Sequence, residues 1–112
     1  MSGRHPIEWA PTTIRDLDEI LEYVVWRESG DAAARLCAKI LSRIDKLSAF
    51  PRRCRIVPEL KEYGIRDYRE LIVSPYRIFF RINGRVVGIV GVLDGRRDLE
   101  EELLNRALDI EG

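Results

Sequence analysis

The chain has almost none of the residues on which metal and nucleophilic chemistry usually rest. His5 is its single histidine, and Cys37 and Cys54 are its only cysteines. Two cysteines are too few for a disulfide framework, and with neither a CxxC pair nor a histidine-rich segment they do not make a zinc pattern. They read as structural thiols, and no metal or cofactor is expected. His5 lies in an N-terminal tail, residues 1–6, that is expected to be mobile; a catalytic role would require that tail to dock. Lysine is scarce too, at Lys39, Lys46 and Lys61, and every basic residue after Lys61 is an arginine. Guanidinium groups suit forked contacts to carboxylate or phosphate and are poor proton carriers.

No apolar run approaches the length that crosses a bilayer, and Met1 to Pro11 lacks a signal-type hydrophobic stretch, so a cytoplasmic protein is expected. Nineteen basic and nineteen acidic side chains cancel, leaving no overall excess to draw the molecule to a phosphate backbone. What is present is a globular composition, 46% hydrophobic and 34% charged over 112 residues, the size of one domain.

Ile7 to Ala10, closed by Pro11, suggests a short edge strand. From Thr12 onward Ile14, Leu17, Leu21 and Val24 recur at helical spacing, with Ile20 widening the stripe, and Thr13 with Asp16 resembles a weakened capping box. Gly30 is expected to cap this helix and Asp31 to begin the next, whose stripe of Leu36, Ile40, Ile44 and Leu47 runs until Phe50 and Pro51. So short a turn between amphipathic helices predicts an antiparallel hairpin. Arg52 to Gly64 has no clear period and reads as a loop.

The remainder reads as sheet. Ile65 to Val73, Tyr76 to Ile82 and Arg85 to Leu93 are rich in aromatic and β-branched residues, and Asn83-Gly84 predicts a type I′ hairpin with Ile82 opposite Arg85. That register puts Tyr76, Ile78, Phe80, Ile82, Val87, Ile89 and Leu93 under the helices. Arg77, Phe79, Arg81, Val86, Val90 and Val92 are left as an apolar floor on an open face. Asp98 to Leu108, with Leu99, Leu103, Ala107 and Leu108 on one side, predicts a closing helix. The expected fold is α+β in two layers: an N-terminal strand, then an antiparallel helical hairpin packed on a curved antiparallel sheet, in the order β-α-α-β-β-β-α.

In that order, Ala49-Phe50-Pro51, the run Arg55 to Glu59, the segment Tyr68-Arg69-Glu70-Leu71, the strand Pro75 to Arg81 and the closing run Val92 to Asp98 resemble the RelE/ParE toxin superfamily, in particular its ParE-like, plasmid-stabilisation branch. The likeness covers Ile7 to Leu108. It implies the toxin half of a type II toxin–antitoxin system, with a small antitoxin as partner and one of two targets. ParE-like members inhibit DNA gyrase by binding; RelE-like members cut messenger RNA on the ribosome.

Cutting RNA needs proton carriers as well as cations. The resemblance offers Arg69, Arg77 and Arg97 as cations, but Tyr76 is the last tyrosine, and Leu103 stands where a RelE-like tyrosine would be sought. Neutral net charge also weighs against a dense RNA surface. Both features favour the gyrase reading over the nuclease, and a degenerate binding module remains a third. The expected antitoxin surface is Arg77, Phe79, Arg81, Val90, Val92, Arg96 and Arg97, the apolar floor meeting a peptide that folds as it binds. The plainer alternatives are that Arg77 and Arg81 face solvent or pair with nearby acids, and that Arg96 and Arg97 pair with Asp98 and Glu101.

Overall fold

Pro11 opens the first long helix because its fixed φ suits a first helical position and its missing N–H is not needed there. The computed structural model describes residues 4–111. β1 (Ile7–Trp9) leads into α1 (Pro11–Arg27) and α2 (Gly30–Lys46), followed by a 3-10 turn (Pro51–Arg53), β2 (Arg55–Ile56) and the single-turn α3 (Pro58–Lys61). The chain then makes β3 (Tyr68–Val73), β4 (Tyr76–Asn83), β5 (Val86–Asp94) and α4 (Glu100–Glu111). The expected loop after Arg52 therefore holds two short elements that have too few residues to show a period. Strand order is β1-β5-β4-β3-β2, with β1 parallel to β5 and the other pairs antiparallel.

The local capping differs from expectation. Ser29, not Asp31, caps α2, its hydroxyl accepting from the Ala32 N–H at 3.0 Å, and Gly30 is the first helical residue. No capping box forms at α1, because Thr13 and Asp16 are spent on the sheet. The buried Thr13 hydroxyl donates to the Ile89 carbonyl at 2.8 Å. Arg4 to Pro6 are tied down: His5 N–H donates to Ser48 O, His5 Nδ1 contacts Arg85 O at 2.7 Å, and Pro6 O accepts from Val87 N–H. Residues 1–3 of the expected mobile tail lie outside the described residues.

The hairpin turn also moves by one position. Asn83 pairs with Val86 and Ile82 with Val87, so Gly84 and Arg85 are the central residues, and positive φ falls on Gly84 alone. That is the demand of a II′-type turn, which glycine meets at its first central position. Moving the partner of Ile82 from residue 85 to 87 is a shift of two, which preserves side-chain alternation; the assignment of Val87 and Ile89 to the hairpin side therefore holds.

Farther along β5 the alternation breaks. Phe79 pairs with Gly91 but Phe80 with Ile89, leaving Val90 as an extra residue. This β-bulge reverses which side every later residue takes. Val92 turns under the hairpin, into the core of Leu17, Ile40, Ile44, Tyr76, Ile78 and Phe80, whereas Leu93 goes to the opposite face. That face is not open. Leu103 and Ala107 of α4 and Leu99 just before it, with Val57 and Leu60, close over Tyr68, Phe79, Val90 and Leu93. Phe79 and Val90 are consequently buried.

The bulge lies where β1 ends, and β5 would otherwise present bare backbone there. Asp16 Oδ2 accepts from Val92 N–H at 3.1 Å, and Arg106 Nη1 donates to Val90 O at 3.2 Å. Those two side chains also pair with each other in a forked contact at 2.6 and 2.9 Å, joining α1 to α4. Gly91 permits it: a Cβ there would stand 2.8 Å from Arg106 Nη1, whereas one at Gly88 would meet nothing nearer than 3.9 Å. Gly91→Ala is expected to destabilise the protein by about 1–3 kcal/mol, as over-filled sites do. Gly88→Ala stays within about 0.5 kcal/mol, and urea unfolding of the two variants checks the contrast.

Candidate functional site

Pairing β3 with β4 sets the arginines on different faces. Arg69 lies opposite Phe80, on the hairpin side, and Arg77 opposite Ile72, on the other. The cations expected to line one surface are therefore separated by the sheet. Arg69 Nη1 donates to the carbonyls of Cys54 at 2.6 Å and Arg52 at 3.3 Å, pinning the 3-10 turn.

Arg77 belongs to a closed charge cluster. Its Nη1 and Nη2 fork onto Glu59 at 2.7 and 2.8 Å, its Nε donates to Glu70 at 2.7 Å, and its guanidinium stands 5.1 Å from the Phe79 ring centroid. Glu70, with no exposed side-chain surface, also accepts from Arg55. Two carboxylates thus neutralise two guanidinium groups. The Glu59 carboxyl is held below its usual range chiefly by its hydrogen bond from Arg77, and that bond in turn raises the arginine. An arginine so committed is poorly available for a phosphate or an antitoxin, so of the readings considered for Arg77 the pairing with nearby acids is the one observed. One sign lay in the sequence: Glu70 alternates with Tyr68 and Ile72 on a strand face that is otherwise apolar, where a carboxylate needs a partner.

Arg81 is half-buried, 3.6 Å from Asp67 and 5.5 Å from the centroid of Tyr68. Arg96 is exposed and forks onto Asp94 at 3.0 and 2.8 Å, rather than reaching Asp98 or Glu101. This contact holds the Asp94 carboxyl below its usual range. Of the seven residues expected to bind a partner, Arg96 and Arg97 share a surface with the core residue Val92 buried behind it, while Phe79 and Val90 are core beneath α4 and Arg77 is sequestered.

That surface is a cleft of about 360 Å³ between the outer side of α1 and the end of β5, with Asp16, Glu19, Ile20 and Tyr23 on one wall and Tyr76, Leu93, Asp94 and Arg97 on the other. Burial pushes the Tyr76 hydroxyl up, aided by the Asp94 charge. The cleft runs into a second one along Val24, Arg27, Arg35 and Pro75, and both share Tyr23 and Arg96. Beside them Trp26 is 77% exposed, its ring 6.2 Å from that of Tyr23. The apolar stripe of α1 in the sequence accounts only for its core side. Tyr23 and Trp26, both outside its apolar stripe, were the available signal for a second role.

For chemistry the arrangement is poor. Leu103 is buried, and His5 sits against Arg85 at the far end of β5. Among the described residues no cluster of histidine, cysteine and carboxylate could hold a metal.

Removing Arg77 leaves the buried Glu70 with Arg55 as its remaining partner and takes from Glu59 its forked contact. Arg77→Met is expected to cost about 3–5 kcal/mol, the usual penalty for breaking a buried pair from one side. Because the folded-state pKa of Glu59 is depressed, its contribution is complete above its ordinary value of 4.5 and is lost as pH falls through the folded value. Acid therefore weakens the wild type, whereas the variant, in which Glu59 has lost the hydrogen bond that lowers it, should lose less stability below that pH. Thermal melts across the acid range measure the difference.

Sequence and structure comparison agree with this geometry. A model of the family described as the ParE toxin of type II toxin-antitoxin system, parDE, matches residues 7–99. Toxin ParE3 of Caulobacter vibrioides is 34% identical over 88 residues, which cover 79% of this chain and 84% of that protein. Toxin ParE1 of Mycobacterium tuberculosis is 28% identical over 104 residues, 92% of this chain and the whole of that one. In structure, a chain from the chromosomal ParDE TA system from P. aeruginosa superposes with a TM-score of 0.69 at 19% identity, covering 83% of this chain and 98% of that chain, and so shares the fold. A family match over most of the length, carried by the same hairpin, strands and closing turn that the structure displays, means that this chain belongs to the ParE toxins of type II toxin–antitoxin systems.

Proposed function

We propose that this toxin inhibits DNA gyrase by binding to it, without chemistry of its own, and that a cognate antitoxin holds it inactive by occupying the cleft beside α1. The observation that carries the first part is the state of the arginines. A ribonuclease must present cations and proton carriers to one phosphate. Here Arg77 is neutralised by Glu59 and Glu70, Arg69 is on the opposite face holding backbone carbonyls, and Leu103 fills the place on α4 with a buried apolar group. The gyrase target itself rests on kinship with ParE toxins, and a cytoplasmic location follows from such a target.

The antitoxin reading is supported by the exposed Tyr23 and Trp26 beside a cleft whose walls carry both Asp94 with Arg96 and unburied apolar surface. Aromatic anchors next to charged rims are the usual make-up of a tight protein interface. The matched solved chain comes from a ParDE toxin–antitoxin system, which is consistent with such a partner.

The target is tested by adding the purified chain to a gyrase supercoiling reaction and, separately, to a translation reaction read by primer extension. Inhibited supercoiling with cleaved-DNA complexes and intact messenger is the expected result. New messenger ends with unaffected gyrase would make it a nuclease, and silence in both a binding module. For the antitoxin surface, Tyr23→Ala with Trp26→Ala should weaken antitoxin binding by about 2 kcal/mol or more. The same substitutions should shift folding stability by no more than about 0.5 kcal/mol. Titration calorimetry and a thermal melt on the same samples separate the two effects.

A further inference from the structure

Formal neutrality conceals a strong separation of charge. Asp16, Asp18, Glu19 and Glu22 gather on α1 and Glu100, Glu101 and Glu102 on α4, whereas Arg35 to Arg55 carries seven basic residues against Asp45 alone. At 3.6 residues per turn Arg35, Lys39, Arg43 and Lys46 fall within about 80° of one another on one flank of α2, on average about 125° from the buried Ala33, Ile40 and Ile44. Arg52 and Arg53 extend the stripe from the 3-10 turn, which Arg69 pins through two carbonyls. Arg43 leans toward the sheet, donating to Ile72 O at 3.3 Å.

These cations differ from Arg77, Arg81, Arg96 and Arg106, each of which has a carboxylate partner. Among the described residues none of Arg35, Lys39, Lys46, Arg52 and Arg53 forms an ion pair, and all five are exposed. The ridge is about 16 Å long over α2, at 1.5 Å per residue. A protein partner would want an apolar centre in such a surface. Of the exposed apolar residues of this region, Leu41 projects from α2 about 155° away from the ridge, and Phe50 beside the 3-10 turn has Arg53 stacked 4.2 Å from its ring centroid. A phosphate row needs no apolar centre, only regularly spaced cations free of competing carboxylates.

We propose that the ridge Arg35, Lys39, Arg43, Lys46, Arg52 and Arg53 binds the phosphate backbone of duplex DNA, so that the toxin touches nucleic acid directly. The choice of DNA over RNA rests on the gyrase reading. The ridge does not, and the assay contains no gyrase, so either can fail alone.

Fluorescence anisotropy of the full chain with a 20-base-pair DNA duplex, over a range of salt, tests it. Log affinity is expected to fall against log salt with a slope of about −4, the release from four to five phosphates. The combined variant R35Q/K39Q/K46Q/R52Q should lose roughly tenfold or more in affinity and most of that slope. Its melting temperature should stay unchanged, and R15Q/K61Q, altered at exposed cations elsewhere, should bind as the wild type. No binding at low salt, affinity retained in the ridge variant, or preference for an RNA duplex of equal length would each overturn the proposal. So would a ridge variant that keeps DNA and loses the antitoxin, for the surface would then be a protein interface.

Discussion

One strand has to serve two cores, and the extra residue Val90 is how it does so. Before the bulge, Val87 and Ile89 face the helical hairpin; after it, Val92 does and Leu93 turns to α4. A regular strand would have sent Val92 away from the hairpin and Leu93 into it, and would have aimed Asp94 away from the cleft. The bulge also falls where β1 stops covering the edge, so the freed backbone must find other partners. Asp16 and Arg106 provide them and at the same time bind each other, which makes the contact between α1 and α4 and the satisfaction of β5 a single event.

The charges follow a similar economy. Glu70 is buried on the face that α4 closes, and a lone carboxylate there would be costly. Arg55 and Arg77 converge on it, and Glu59 takes the remaining donors of Arg77. The result is an internal cluster with no net charge, which turns the most conspicuous strand arginine into a structural residue. Paired arginines thus hold the sheet and its closing helix together, while α2 and the turn that follows it carry a row of cations that, among the described residues, form no ion pair. The two populations point to different work: the first keeps the scaffold rigid behind the cleft, and the second leaves a field on one side of a neutral molecule.

Much of the fold was legible because its signals are local. The helical spacing of Leu17 and Val24, and of Ile40, Ile44 and Leu47, marks the hairpin; the glycine before Arg85 marks the turn; and Tyr76, Ile78 and Phe80 alternate as a buried strand face must. The site was less legible. Phe79 and Val90 share the alternation of an open face, and nothing nearby in sequence reveals that α4 folds back over them. The family likeness, carried by short ordered segments, reached the right relatives while leaving the disposition of the arginines open.

The amino-acid order alone determined the element types, the hairpin, the burial of one sheet face and membership of the ParE toxins, since each depends on periodicity or on runs of neighbouring residues. Tertiary structure decided which cations are available. Whether an arginine is free depends on carboxylates far away along the chain, as with Asp16 and Arg106, and on a one-residue bulge that changes which way every following side chain points. A guanidinium and its partner meet only when the sheet and α4 have come together, and periodicity along the chain carries no record of that meeting.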